Sequence, residues 1–227
     1  MLVFYEIMKW IQITSTALFL FLFLGKTLYL RRKERLNAII FHTGRKKGNG
    51  SLSFLSVLIV NMWIACLLFY LLNSSFHNWF SILKIGAIDK IWVKIPGLLM
   101  LILAFVIFVI AQTAMGNSWR LGIDRKNPGR LVTGNIYGFS RHPIYLFFNL
   151  YFLSVFLMNA NLIFLVFTIA IAAILHFQAS SEEDFLISIY GDRYKEYYVR
   201  VGKYFTLPGS TRIQDIVQSD TEDKESA

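Results

Sequence analysis

Four long apolar stretches, separated by polar segments, set the layout of the chain. The first three cover about residues 7–30, 52–72 and 97–115, and each approaches the roughly 20 residues that a membrane-spanning helix needs. The fourth covers residues 144–178. As one helix it would be about 52 Å long, which exceeds the ~30 Å hydrocarbon core of a bilayer. We therefore predict that the fourth stretch crosses the membrane twice.

A tight turn is expected near the middle of this stretch, where Asn159, Ala160 and Asn161 follow one another. Asparagine tolerates turns and left-handed backbone, so these residues can reverse the chain between two arms of roughly 16–17 residues. The fold class that we predict is all-α. It is a polytopic helical membrane protein with about five transmembrane helices, a C-terminal helical hairpin and short cytoplasmic helices.

Composition and charge support this layout. The chain is 56% hydrophobic, above the roughly 45–50% of soluble domains. Segments 31–51 and 116–143 together hold twelve lysines and arginines, whereas segment 73–96 holds three. The positive-inside rule then predicts an N-terminus outside and a C-terminal region in the cytoplasm. This distribution of charge indicates a lipid bilayer as partner and argues against nucleic acid.

Three segments of different character follow along the chain. Residues 1–115 hold three transmembrane helices and a basic cytoplasmic loop, residues 116–207 hold a core of a loop, the helical hairpin and cytoplasmic helices, whose motifs are described below, and residues 208–227 form an acidic tail expected to be disordered. Segment 73–96 alternates apolar and polar residues, which predicts an interfacial amphipathic helix. The single cysteine, Cys66, excludes a disulfide within the chain, and no spacing of His, Cys or acidic residues indicates a metal site.

A first polar cluster, Arg141-His142-Pro143-Ile144-Tyr145, lies just before the hairpin. Pro143 suits the first turn of a helix, and the free N–H groups of that turn can bind a carboxylate or a phosphate. Arg141 adds a positive charge, and Tyr145 is spaced to share a helix face with His142. The alternative interpretation is an interfacial anchor, because Arg, His and Tyr are common at membrane boundaries.

A second polar cluster begins with Glu182 and Glu183, just after the hairpin. We predict that they open a helix that ends at Gly191, and that Asp192 begins another short helix. Adjacent helical positions point in different directions, so one glutamate is expected to face a pocket and the other water. The alternative is that both simply place favourable charge at a helix N-terminus.

Taken in order, the polar motifs resemble the isoprenylcysteine carboxyl methyltransferase family and its relatives, the bacterial phospholipid and thiol methyltransferases. The resemblance covers about residues 115–205. Its matching pieces are Gly116-Asn117-Ser118-Trp119, Leu131-Val132-Thr133-Gly134-Asn135-Ile136-Tyr137, Arg141-His142-Pro143-Ile144-Tyr145, Glu182-Glu183 with Leu186, and Tyr190-Gly191 with Tyr194 and Tyr197.

The resemblance implies an enzyme that uses S-adenosylmethionine on the cytoplasmic side of a helical membrane domain. It also implies an amphiphilic small-molecule or lipid-modified acceptor, such as a prenylcysteine carboxylate, a lipid amine or a thiol. The cofactor-binding residues that it implies are Leu131, Val132, Thr133, Gly134, Ile136, Tyr137, His142, Pro143, Ile144, Tyr145 and Glu182.

One position departs from the family pattern. Gln178 stands where the family commonly has an arginine that faces the acceptor, so Gln178 and Glu182 are the candidate catalytic residues. Glutamine can form hydrogen bonds but carries no charge. Either the acceptor is neutral, or another residue such as His176 or Arg193 substitutes for the arginine.

Two other functions stay open at this point. Integral-membrane reductases that use NADPH have a similar Arg-His-Pro-x-Tyr segment, although Glu182, Glu183 and the Gly191/Tyr194 pattern favour the methyltransferase. The third possibility is a non-catalytic membrane protein on the same scaffold, which the substitution at Gln178 makes conceivable.

Overall fold

The computed structural model describes residues 2–33, 49–116 and 130–206, and it contains α-helices and short 3-10 turns but no strand within these residues. The predicted all-α fold is confirmed. The 3-10 turns cover Ser81–Leu83 and Asn135–Gly138. The α-helices are α1 Leu2–Lys33, α2 Asn49–Leu72, α3 Ser74–Phe80, α4 Ile91–Met115, α5 Pro143–Asn159, α6 Leu162–Tyr190 and α7 Asp192–Arg200.

Four of the described helices, α1, α2, α4 and α6, are long and apolar enough to cross a membrane. Helix α5 is also apolar but has 17 residues. Twelve residues of α5 are buried, so this helix passes through the middle of the bundle rather than along its lipid-facing surface. The predicted polytopic helical fold is confirmed. Of the about five transmembrane helices expected, four described helices have the length of a membrane span and α5 is shorter, while the second arm of the hairpin, α6, has 29 residues rather than 16–17.

The chain reverses between α5 and α6 at the predicted turn. Ala160 has left-handed backbone (φ 48°, ψ 45°), and the side chain of Asn161 accepts a hydrogen bond from the Ile163 N–H at the start of α6. The segment before α4 holds this turn in place. The Ile85 N–H donates to the Ala160 carbonyl at 2.7 Å, and the Asn161 amide donates to the Phe80 carbonyl at 2.9 Å.

Three helix boundaries differ from the prediction. Helix α4 begins at Ile91 and contains Pro96, so it starts six residues earlier than expected. Helix α6 continues without a break to Tyr190, so Glu182 and Glu183 do not open a new helix. The prediction for α6 failed because polar residues after the apolar stretch suggested that the helix ends there. In the structure these residues have partners in the fold, so the helix continues through them. Segment 73–96 consists of a short helix, a 3-10 turn and, after a connection, the first residues of α4, and it is not one amphipathic helix.

Aromatic side chains fill the centre of the bundle around α5. The Trp63 ring of α2 stacks on Phe152 with centroids 4.3 Å apart. From α1, the Phe19 ring packs against Phe147 at 5.5 Å, and the Thr16 hydroxyl shares a 3.0 Å hydrogen bond with the Tyr151 hydroxyl. Helices α1 and α2 are therefore held to α5 by rings and by a buried hydrogen bond, both of which specify how the helices face each other.

Some predicted features lie outside the described residues. They are most of the basic loop 31–51, Asn117-Ser118-Trp119 of the first motif, and the acidic tail from residue 208 onward. The charge-based orientation, the three-segment division and the disorder of the tail therefore stay predictions.

Helices α4 and α5 approach each other closely at Gly97. A Cβ atom at this glycine would lie 3.0 Å from the Leu157 Cβ and 3.1 Å from the Ser154 carbonyl oxygen. Small residues at helix contacts let backbones approach in this way in membrane proteins. Gly97 therefore sets the distance between α4 and the central helix.

We predict that Gly97→Leu destabilises the bundle, because the larger side chain forces α4 away from α5. Overpacking of this kind costs about 1–3 kcal/mol or more. The measurement is the melting temperature of the purified protein in detergent. Gly25→Leu is the matched control, because no atom lies within 4 Å of a Cβ built at Gly25. Equal melting temperatures for the two variants would contradict the close contact.

Candidate active site

The start of α5 carries the first polar cluster into the bundle. His142 precedes the helix and Pro143 is its first residue, as expected for a residue that lacks an N–H. The rings of His142 and Tyr145 stack with centroids 5.3 Å apart and planes within 6°. The predicted shared face is confirmed, and it places an imidazole and a phenol side by side under the end of α6.

The segment that follows α7 holds this cluster from the other side. The Arg141 N–H donates to the Gly202 carbonyl at 3.0 Å, the His142 N–H to the Lys203 carbonyl at 3.1 Å, and the Thr206 N–H to the Phe139 carbonyl at 3.0 Å. Segment 139–142 therefore runs beside segment 202–206, joined by backbone hydrogen bonds. Such bonds depend on tertiary packing and leave little signal in the side-chain pattern.

Glu183 is the most heavily paired charge in the site. Its Oε1 lies 2.8 Å from the Arg141 Nη2 and 3.1 Å from the His142 Nε2, and its Oε2 lies 3.2 Å from the Lys203 Nζ. The Glu183 side chain is only 5% exposed, and neither glutamate of the pair faces open water. The prediction that one of the two faces water is therefore wrong. A buried carboxylate needs this degree of pairing to remain ionised inside the protein.

Arg141 is fully engaged by the protein itself. Besides Glu183, its guanidinium donates to the backbone carbonyls of Tyr198 and Val201, and it lies 3.9 Å from the centre of the Tyr198 ring. The expectation that Arg141 offers a positive charge to a ligand is therefore wrong. Its planar fork instead joins α5, α6 and the segment after α7.

Glu182 has a different environment from its neighbour. The Tyr145 hydroxyl donates to its Oε1 at 2.5 Å, and the His142 Nδ1 lies 3.8 Å from its Oε2. Within the described residues, no lysine or arginine forms an ion pair with Glu182. One carboxylate of the pair is thus paired with fixed cations, whereas the other has no ion pair to a lysine or arginine of the described residues and is left to accept a cationic or hydrogen-bonding group from a ligand.

Several buried polar atoms at this end of the bundle have no hydrogen-bond partner in the described part of the protein. They are the Gln178 Oε1, the Asn149 Oδ1 and the hydroxyls of Tyr137 and Tyr204. Asn149 and Tyr204 interact with each other, whereas Gln178 and Tyr137 interact with Glu182. Buried polar atoms are rarely left unpaired, so the Gln178 Oε1 and the Tyr137 hydroxyl near this carboxylate indicate a ligand site.

Two tyrosines of the site, Tyr137 and Tyr204, stay protonated. Burial, with the nearby Tyr197 and the charge of Glu182, raises the pKa of the Tyr137 hydroxyl above its ordinary value. Burial and the charge of Glu183 likewise raise the pKa of Tyr204. Both hydroxyls therefore remain hydrogen-bond donors at neutral pH.

The structure places five of the predicted site residues together, namely Tyr137, His142, Tyr145, Gln178 and Glu182. The others frame them. Leu131 packs against the apolar side of α7, and Pro143 and Ile144 are buried or half-buried where α5 enters the core. Val132, Thr133 and Ile136 are half-buried, and Gly134 is exposed before the 3-10 turn.

The residues proposed as substitutes for the family arginine do not take its place. His176 and Arg193 are exposed on α6 and α7, and no ion pair joins either one to Glu182 within the described residues. The His176 ring instead lies 6.4 Å from the Tyr204 ring. Neither residue therefore replaces the missing arginine beside Gln178.

Sequence reasoning missed three residues of the site. Asn149 could have been found, since it follows His142 by seven residues and so falls on the same face two turns later. Lys203 and Tyr204 could not, because only the backbone pairing with segment 139–142 brings them to the site.

Residues 92–193 match the family model described as phospholipid methyltransferase. The resemblance to this family is confirmed over that segment. It runs from the start of α4 to the start of α7, and it contains His142, Tyr145, Gln178 and Glu182. No curated protein matches the chain. The family and the apolar helices together support an integral-membrane enzyme of the methyltransferase class.

Gly202→Ala is expected to release the segment that follows α7. A methyl group at residue 202 would overlap the backbone carbonyl of Phe205, whereas a Cβ at Gly138 would have an ordinary contact of 3.6 Å with the Thr133 oxygen. We therefore expect faster tryptic cleavage after Lys203 in Gly202→Ala than in the control variant Gly138→Ala. Equal cleavage rates would show that the segment tolerates the added atom.

Glu183→Gln is expected to destabilise the fold, because it leaves the buried guanidinium of Arg141 without its carboxylate. Breaking a buried ion pair from one side costs about 3–5 kcal/mol. The melting temperature in detergent measures the loss. The neighbouring variant Asp184→Asn, at an exposed position, should melt like the parent protein. A Glu183→Gln variant as stable as Asp184→Asn would refute this structural role.

Proposed function

We propose that this protein transfers a methyl group from S-adenosylmethionine to an amphiphilic, membrane-associated acceptor at the site around Glu182. The observation that supports the proposal best is the Glu182 carboxylate, which has no ion pair to a lysine or arginine of the described residues, together with the unpartnered Gln178 Oε1 and Tyr137 hydroxyl near it. Such a site favours a ligand that carries a positive charge and several hydrogen-bonding groups. The match to a phospholipid methyltransferase family points in the same direction.

The residues present fit this cofactor. In the proposal Glu182 binds the ammonium group or the ribose hydroxyls, because charge-assisted hydrogen bonds to a carboxylate are among the strongest available. The free N–H groups in the first turn of α5 bind the methionine carboxylate, helped by the helix dipole. The Tyr137 hydroxyl and the backbone of segment 131–136 complete the cradle on the side of α7.

The cofactor supplies an activated methyl group for an in-line displacement, in which the sulfur–methyl bond breaks as the bond from methyl to acceptor forms. The protein then has to align the two reactants and exclude water. His142 and Tyr145 hold Glu182 in place through the contacts described above. No nucleophilic side chain is required.

In this proposal Gln178 influences which methyl acceptor can bind. Its Oε1 is a buried hydrogen-bond acceptor without a partner, so it suits a methyl acceptor that presents an N–H or O–H group. It offers no charge to a carboxylate or a thiolate. Among the acceptors that the resemblance implies, a lipid amine therefore fits better than a prenylcysteine carboxylate.

We also propose that this end of the bundle faces the cytoplasm, with the N-terminus outside, as the distribution of basic residues predicts. The cofactor then enters from the aqueous side. The acceptor approaches from the lipid, since α6 borders the bilayer along its apolar length.

A reductase that uses NADPH is disfavoured by the charges of the site. That cofactor carries several phosphate charges, whereas the Arg141 guanidinium is already engaged and the site presents a second carboxylate, that of Glu182. A non-catalytic role remains the other outcome of the test below.

The test is a titration of the purified protein with S-adenosylhomocysteine and, separately, with NADPH, followed by the melting temperature. Only S-adenosylhomocysteine should stabilise the protein. Glu182→Gln retains the hydrogen bond from Tyr145 but removes the charge, so we expect binding of S-adenosylmethionine to weaken by roughly 10- to 100-fold. Asp184→Asn is the matched control.

Transfer of labelled methyl from S-adenosylmethionine into a membrane extract then tests the reaction. It should occur with the parent protein and with Asp184→Asn, and fall to background with Glu182→Gln. Binding of the cofactor without transfer to any lipid, thiol or prenylated peptide would support the non-catalytic alternative. Stabilisation by NADPH instead would establish the reductase.

A further inference from the structure

A second polar cavity lies at the end of the bundle opposite the candidate active site. It measures about 320 Å³ and opens between the first turns of α1, the end of α2, the start of α4 and the end of α5. The length of α5 separates this end from His142 by about 25 Å. The cavity is therefore distinct from the site around Glu182, and the proposed function does not use it.

Two lysines of this cavity share one carboxylate. The Lys94 Nζ lies 2.5 Å from the Asp89 Oδ1 and donates to the Met158 carbonyl at 2.9 Å, and the Lys84 Nζ lies 2.6 Å from the Asp89 Oδ2. Burial alone would raise the pKa of Asp89, but the two ammonium groups outweigh it and hold this pKa below its usual value. Asp89 is therefore ionised at neutral pH and can balance only one of the two lysines.

The rest of the lining does not remove the excess positive charge. Lys9 pairs with Glu6 at 3.5 Å, so the described charges of the cavity and its wall are three ammonium groups and two carboxylates. The Tyr5 ring lies 4.7 Å from the Lys94 Nζ and 5.7 Å from the Lys84 Nζ, which orients both lysines. One positive charge is left for a bound anion.

The cavity is amphiphilic as well as basic. Gln12 and Asn159 are buried in its wall and joined by a 2.6 Å hydrogen bond, while Met8, Leu71 and Met158 supply apolar surface beside them. A site of this size with mixed polar and apolar walls suits a ligand that has a polar group on an apolar body.

Three exposed tryptophans indicate the depth of the cavity in the membrane. Trp10, Trp79 and Trp92 lie on the first turns of α1, on α3 and at the start of α4, and they are 55%, 75% and 69% exposed. Tryptophans collect at the level of lipid headgroups. Since these residues surround the same end of the bundle, the cavity lies at headgroup depth.

We propose that this cavity binds the phosphodiester group of a lipid headgroup. A phosphodiester carries a single negative charge, which matches the one unbalanced ammonium, and it is held at the depth that the tryptophans mark. Inorganic phosphate would bring close to two negative charges at neutral pH and no apolar body. The inference does not depend on the proposed methyl transfer.

The test uses the full-length protein in dodecyl maltoside, titrated with dioctanoyl phosphatidylglycerol while the melting temperature is followed. Inorganic phosphate and dioctanoylglycerol are titrated in parallel, because they carry only the phosphate and only the apolar part. We expect the phospholipid to stabilise the parent protein. Lys84→Gln should weaken that effect about fivefold, as for the loss of one charged contact at a partly exposed site.

Lys90→Gln is the matched control, since Lys90 is an exposed lysine of the same segment that does not line the cavity. It should bind the phospholipid like the parent. If Lys84→Gln yields too little folded protein, Lys9→Gln removes another ammonium of the lining and should weaken binding similarly. The proposal is overturned if dioctanoylglycerol stabilises equally well, if only inorganic phosphate stabilises, or if the lysine variants bind the phospholipid as the parent does.

Discussion

The reversal of the chain at Ala160 is the constraint on which the candidate site depends. Because α5 and α6 meet there as a hairpin, the residues that begin α5 and those that end the apolar part of α6 return to the same end of the bundle. The turn is not left to local preference alone. Hydrogen bonds from Ile85 and to Phe80, and the ammonium of Lys94 on the Met158 carbonyl, hold it from outside. A change in the geometry of this turn would displace His142 and Glu182, about 25 Å away, because stiff helices connect both residues to the turn.

The two neighbouring glutamates divide the electrostatic tasks of the site. Glu183 pairs with the adjacent Arg141 and His142 before α5 and with Lys203 after α7, and its role is to join these two segments to α6. Glu182 receives only a phenol hydroxyl and a nearby imidazole. A single carboxylate could not serve both purposes, since the pairing that makes Glu183 a stable cross-link would cancel the charge that a cationic ligand needs.

The apolar pattern was sufficient to predict the helices, the central hairpin and the position of its turn, because the length of an apolar run is limited by the thickness of a bilayer. Helical spacing also predicted that His142 and Tyr145 share a face. The pattern failed where tertiary contacts decide. Polar residues at 180–183 suggested a helix end, although α6 continues through them. The engagement of Arg141 and the arrival of Lys203 could not be foreseen, because both depend on backbone pairing between segments some 60 residues apart.

That pairing has a consequence for shortened forms of the protein. Lys203 supplies one of the ion-pair partners of Glu183, and the backbone of residues 202–206 holds segment 139–142. A truncation before residue 202 would leave every described helix in the chain but remove both sets of contacts. The helical bundle and the last wall of the pocket are thus encoded by different parts of the chain.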